Sequence, residues 1–71
     1  MTKPLYTRKF SGRKLKAARE AIRISRHTLA QMVGVTQMSI YNWETDKFSP
    51  HADALFKLAA ALNQPADYFY E

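Results

Sequence analysis

A chain of 71 residues has room for one small domain, and its lack of cysteine excludes disulfides and thiolate metal sites as what holds that domain together. With 46% hydrophobic and 13% aromatic residues it is too apolar to stay disordered, so a single compact core must stabilise it. The net charge of +5 is uneven: residues 1–26 hold nine bases and one acid, residues 27–71 two bases and five acids. Such a separation suits a polyanion docked on one side of the molecule, or more plainly a solvated arm and helix face.

In chain order, residues 1–11 read as a flexible basic arm carrying Lys3, Arg8 and Lys9, with Tyr6 and Phe10 able to pack back on the domain. Met1 to Phe10 has no apolar stretch of the kind an export signal needs, which predicts a cytoplasmic location. The folded domain is expected over 12–71. Apolar residues recur at helical spacing in Leu15, Ala18 and Ile22, then in Leu29, Met32 and Val33, then in Leu55, Leu58, Ala59 and Leu62. Period-two alternation is missing, so the fold class is all-α. The punctuation at Ile24-Ser25, Gly34-Val35-Thr36, Ser49-Pro50 and Asn63-Gln64-Pro65 divides the chain into five short helices at about 12–22, 26–33, 37–45, 52–62 and 66–71. Ser25 and Thr36 are suited to cap the helices they precede, and Gly34 can take the positive φ that ends the second. The most apolar stretch, Leu55 to Leu62, is too short to cross a membrane and carries Lys57.

The most specific signal is Arg26 to Thr45, RHTLAQMVGVTQMSIYNWET. Two helices that cross closely need a small residue at the crossing, here Ala30, and a tight turn, here Gly34. Leu29, Val33, Val35, Ile40 and Trp43 then point to one core, which leaves Gln37, Met38, Tyr41 and Asn42 outward on the third helix, a face that fits a major groove. Trp43 is read as core and not as a base-stacking residue.

With Ser25, Leu29-Ala30, Gly34-Val35-Thr36, Ile40, Trp43-Glu44, Pro50 and the Leu55, Leu58, Leu62 stripe ending at Asn63, the sequence resembles the helix-turn-helix domains of lambda-repressor and Cro type, the XRE-like family, over roughly residues 11–70. The resemblance implies a compact five-helix bundle whose second and third helices form the helix-turn-helix, and which binds double-stranded operator DNA, usually as a homodimer. It places Gln37, Met38, Ser39 and Asn42 where relatives touch bases. Gln37 can read adenine N6 and N7 together, and Met38 offers apolar contact to a thymine methyl. Phosphate contacts fall to Arg26, Thr36, Tyr41 and Lys47. Arg19 and Glu44 match a structural salt bridge between the first and third helices.

Some positions depart from the family pattern. His27 and Thr28 stand where acidic residues often follow the cap, removing the usual capping-box glutamate. Asp46 stands where glycine is common, and Asn63 replaces a frequent glycine at the end of the fourth helix. His51 and Asp53 are read as capping and solvation rather than acid-base chemistry. Phe56, Tyr68, Phe69 and Tyr70 exceed what a small core needs; Phe69 is assigned to the core, and exposed members of the group to a dimer seam or to the junction with a C-terminal effector or oligomerisation domain. No nucleophile with a base, phosphate loop or metal cluster is present in the pattern, so a non-enzymatic DNA-binding regulator, most often a repressor in this family, is the leading expectation, with no cofactor or metal. The alternatives are an antitoxin-like autoregulator and a protein-interaction module that keeps the fold without binding DNA.

Overall fold

The structure, a computed structural model, describes residues 4–71. It contains α1 (Gly12–Ala21), α2 (Arg26–Val33), α3 (Gln37–Glu44) and α4 (Ala52–Leu62), with 3-10 turns at Leu5–Thr7 and Ala66–Phe69. Each α-helix starts on a side chain that accepts from an otherwise unpaired N–H of its first turn: Ser11 from Lys14, Ser25 from Thr28, Thr36 from Ser39 and the His51 ring from Ala54. Without these caps, helices of eight to eleven residues would be marginal.

The helix ends are set by backbone conformation. Gly34 closes α2 at φ 80°, a left-handed geometry that glycine adopts without steric cost, and its N–H and that of Val35 both return to the Ala30 carbonyl, at 2.8 and 3.0 Å. Asn63 does the same for α4 at φ 55°. The turn at Gly34 folds α3 directly onto α2, and α2 in turn packs on α4. Where they meet, Leu15, Leu29, Ile40, Leu58 and Phe69 are fully buried, with Ala18, Ala30, Val33, Trp43, Ala54 and Leu62 around them. Each large aliphatic or aromatic side chain so buried stabilises the fold by roughly 1.5–3 kcal/mol.

Gly12 sits at the closest approach in the bundle. A Cβ there would meet the backbone carbonyl groups of Trp43 and Glu44, with the Glu44 carbon 2.6 Å away, so only glycine lets the start of α1 meet the end of α3. That contact puts the positive end of one helix against the negative end of the other.

Five expectations need correction. Among the described residues there are four α-helices, not five: residues 66–69 form a 3-10 turn, after which Tyr70 turns extended (φ −108°, ψ 143°) and pairs antiparallel with Phe10. The Lys9 and Glu71 backbones exchange hydrogen bonds at 2.9 and 2.8 Å, and the Ser11 N–H donates to the Phe69 carbonyl at 2.7 Å. A helix continuing to residue 71 would keep those backbone groups for itself. The same pairing ties down residues 9–11 of the expected arm; residues 1–3 lie outside the described residues. Phe10 stacks 6.3 Å from Phe69, whereas Tyr6 is 88% exposed and does not pack back.

Ile22 and Met32, expected in the apolar stripes, are 44% and 52% exposed. At Ile22 the helix has already ended and the chain turns through Arg23 at φ 59°, so helical spacing no longer applies and Ile24 packs against the core instead. In α2 the buried arc is Leu29, Ala30 and Val33, and Met32 lies about 100° from its centre at 100° per residue.

Candidate nucleic-acid interface

The first turn of α3 lies at the surface, with Gln37 and Met38 exposed. Thr36 caps the helix, its Oγ1 accepting from the Ser39 N–H at 3.1 Å. Gln37, Met38 and Tyr41 are exposed, Met38 at 64%, while Ser39 and Asn42 are half-buried. A hollow of about 220 Å³ opens between Arg26, Gln37, Met38 and Tyr41, so four of the residues singled out in the sequence share one surface depression. Ser39 is drawn into the cap, its Oγ 3.1 Å from Thr36 Oγ1. Asn42 holds the following loop through its backbone, its carbonyl accepting from the Lys47 and Phe48 N–H groups at 2.9 and 3.3 Å. Lys47 itself is exposed, with its ammonium 5.9 Å from the Phe48 ring.

The end of α3 is buried. Glu44 is buried, its side chain 1% exposed, and Arg19 of α1 donates to it from Nε at 2.6 Å and Nη2 at 3.3 Å. Arg19 Nη1 donates to the Ile24 carbonyl at 2.7 Å, tying the turn after α1 into the same cluster. A carboxylate in this position needs opposite charge and several donors to offset its desolvation, and a forked guanidinium supplies both.

Three features of the site have no sequence signal. Arg26, assigned to phosphate alone, donates from Nε to Glu44 Oε1 at 2.8 Å and lies over the Tyr41 ring at 5.2 Å. Glu44 thereby links α1, α2 and α3. Asp46, whose charge stands where glycine is common, adopts φ 62° and accepts the Gly12 N–H on Oδ1 at 2.8 Å, so it serves as an anchor for the start of α1. His27, one residue into α2, meets Gln37 across the turn, with Nδ1 3.1 Å from Gln37 Nε2. Each contact joins residues ten or more apart, which periodicity and spacing do not relate.

The charge asymmetry is also partly internal. Of the nine bases in residues 1–26, at least four are paired: Arg8 with Asp67 at 3.6 Å, Arg13 with Glu71 at 2.6 Å, and Arg19 and Arg26 with Glu44. Among the described residues no group of three or more His, Asp or Glu comes together as a metal site, and no helix is long and apolar enough to cross a membrane.

This fold and its exposed helix start define a class. The helix-turn-helix family signature matches residues 15–69, and the chain belongs to that family. Over 57 residues, 80% of the chain, it is 39% identical to an HTH-type transcriptional regulatory protein of Methanocaldococcus jannaschii and 33% identical to repressor protein C2 of Salmonella phage P22. It spans only 18% and 26% of the lengths of those two relatives. In three dimensions it superposes on the P22 c2 repressor crystallised with synthetic operator 9T, with a TM-score of 0.82 and 31% identity, covering 86% of this chain and 92% of that one.

Proposed function

We propose that the chain is the reading head of a DNA-binding transcriptional regulator, acting as a repressor, that inserts the start of α3 into the major groove of a double-stranded operator. The observation that carries this reading is the exposed, polar first turn of α3 on a helix-turn-helix fold that resembles a repressor solved on its operator. Major-groove entry needs a narrow protruding helix with hydrogen-bonding side chains near its N-terminus. Gln37 would read adenine by its amide, Met38 would meet a thymine methyl, and Asn42 and Ser39 would contribute from the half-buried side of the same turn. Thr36, Tyr41 and Lys47 would hold phosphates, joined by the part of the Arg26 guanidinium that Glu44 does not engage. The exposed Phe56 of α4 and the apolar groove beside Leu55, Ala66 and Tyr70 favour a dimer through this side, with two heads reading two half-sites.

The test is selection of bound duplexes from a random library, followed by anisotropy on the selected and scrambled sequences over a range of salt. A selected inverted repeat, tight specific binding and a log K that falls linearly with log salt are expected. Equal, weak binding to both duplexes overturns the reading.

A further inference from the structure

The hydrogen bond between His27 and Gln37 joins a group that changes its donor and acceptor pattern with pH to the side chain assigned to base reading. Gln37 presents Nε2 to His27 Nδ1 at 3.1 Å. An amide nitrogen only donates, so this contact requires a neutral imidazole whose Nδ1 is unprotonated and whose proton sits on Nε2. One Gln37 N–H is then engaged by His27. The second N–H and Oε1 remain free along the other edge of the amide, a donor beside an acceptor in fixed order. That order matches adenine, which offers N7 as acceptor and N6 as donor.

Protonation of His27 turns Nδ1 into a donor. The Nε2 contact then sets donor against donor, and the favourable alternative is a half-turn of the amide that brings Oε1 to Nδ1. The free edge keeps one donor and one acceptor with their places exchanged, so that each opposes its like on adenine. We propose that His27 is a positioning residue that sets the amide order of Gln37, and that it makes the adenine preference at this one base pair depend on the protonation of His27. The proposal rests on the reading of α3 as a recognition helix.

The surroundings leave His27 available for this exchange. Its helix packs on α3 and α4. On α3 the ionisable groups are Tyr41, exposed beneath Arg26, and Glu44, held by Arg19 and Arg26; on α4 they are Asp53 and Lys57, both exposed. Beside it in the chain stand Arg26, turned to Glu44, and Arg23 in the preceding turn, which is exposed. Among the described residues none of these forms an ion pair with His27.

The experiment uses the whole chain and duplexes taken from the random-library selection at about pH 8. Affinities are compared for the selected duplex and for variants changed at single base pairs, at about pH 8 and pH 5.5. The base pair read by Gln37 is the one whose preference disappears in Gln37→Ala. For the unaltered protein, the preference for adenine there should fall about fivefold or more at the lower pH, with the ratios at the other base pairs unchanged. In His27→Ala that preference should be weaker and flat with pH. His27→Asp places an acceptor-only carboxylate oxygen where Nδ1 stood, and should restore the preference and keep it flat. Comparing base ratios separates this effect from the general gain in phosphate attraction that an added positive charge brings, and circular dichroism at both pH values verifies the fold. A ratio that is flat with pH in the unaltered protein, or that falls equally in His27→Ala, overturns the proposal while leaving DNA reading intact. Loss of preference at every position at pH 8 overturns both.

Discussion

The two ends of α3 share one short helix and opposite surroundings. At its start Gln37 and Met38 stand in solvent above a shallow hollow, and the side-chain contacts are a cap within the turn and the bond from Gln37 to His27. At its end Trp43 and Glu44 are buried, and Glu44 takes donors from two other helices. Along eight residues one end is buried and the other exposed: the buried end ties the helix to the core and leaves the exposed end for the groove contacts proposed above. The contrast predicts that changes at the end act on stability and changes at the start act on recognition.

The largest effect is expected from Glu44→Ala, which strands Arg19 in a buried site and releases Arg26. Chemical denaturation should show a loss of about 3–5 kcal/mol, enough to unfold much of a domain this size. A loss under about 1 kcal/mol would mean that the two ends of α3 are less distinct than their burial suggests.

Gln37→Ala should do the reverse, leaving stability within about 0.5 kcal/mol and removing about 1–3 kcal/mol of discrimination at a single base pair. Paired melting and anisotropy measurements place both variants on the same two axes. A Gln37→Ala protein that binds all duplexes as before would take the recognition role from this turn.

Asp46 tests the junction beside the buried end. Asp46→Ala loses both the acceptor for the Gly12 N–H and the tolerance for φ 62°, and should cost about 0.5–2 kcal/mol in urea unfolding. Asp46→Asn keeps an acceptor oxygen and the left-handed conformation, so it should cost less than Asp46→Ala; equal losses would show that the carboxylate charge, rather than its geometry, anchors α1. The smallest effect belongs to Lys47→Ala, which should weaken selected and scrambled duplexes alike and reduce the slope of log K against log salt by about one.

Local patterns disclosed much of this molecule before any coordinates. The helix boundaries follow from residues that act within three or four positions of themselves, such as the caps at Ser25 and Thr36 and the left-handed ends at Gly34 and Asn63. The core residues Leu29, Val33, Ile40 and Leu58 were legible from spacing, because a helix converts a repeat in sequence into a face in space. The pairing of Arg19 with Glu44 was legible only through family resemblance, since nothing in the spacing joins residues 25 apart.

Periodicity misled at Met32, which lies off the buried arc of α2, and at Ile22, where the backbone had already left the helix. Ile22 continues the α1 stripe on paper, but the chain turns at Arg23, and the last segment gives up a fifth α-helix so that Tyr70 can pair with Phe10. The site divides along the same line. Gln37, Met38 and Tyr41 were legible as an outward face, whereas the second arginine on Glu44, the anchoring of α1 by Asp46 and the contact of His27 with Gln37 were not.

Taken alone, the order of the amino acids determined the all-helical class, the helix-turn-helix spacing and the exposed face at the start of α3, because capping, left-handed turns and amphipathic repeats are short-range effects. The folded bundle decided which charges are consumed internally, where the terminal segments are held and what stands behind Gln37. Those outcomes depend on side chains distant in the chain arriving within about 3 Å of one another, and only the packing of the helices brings them there.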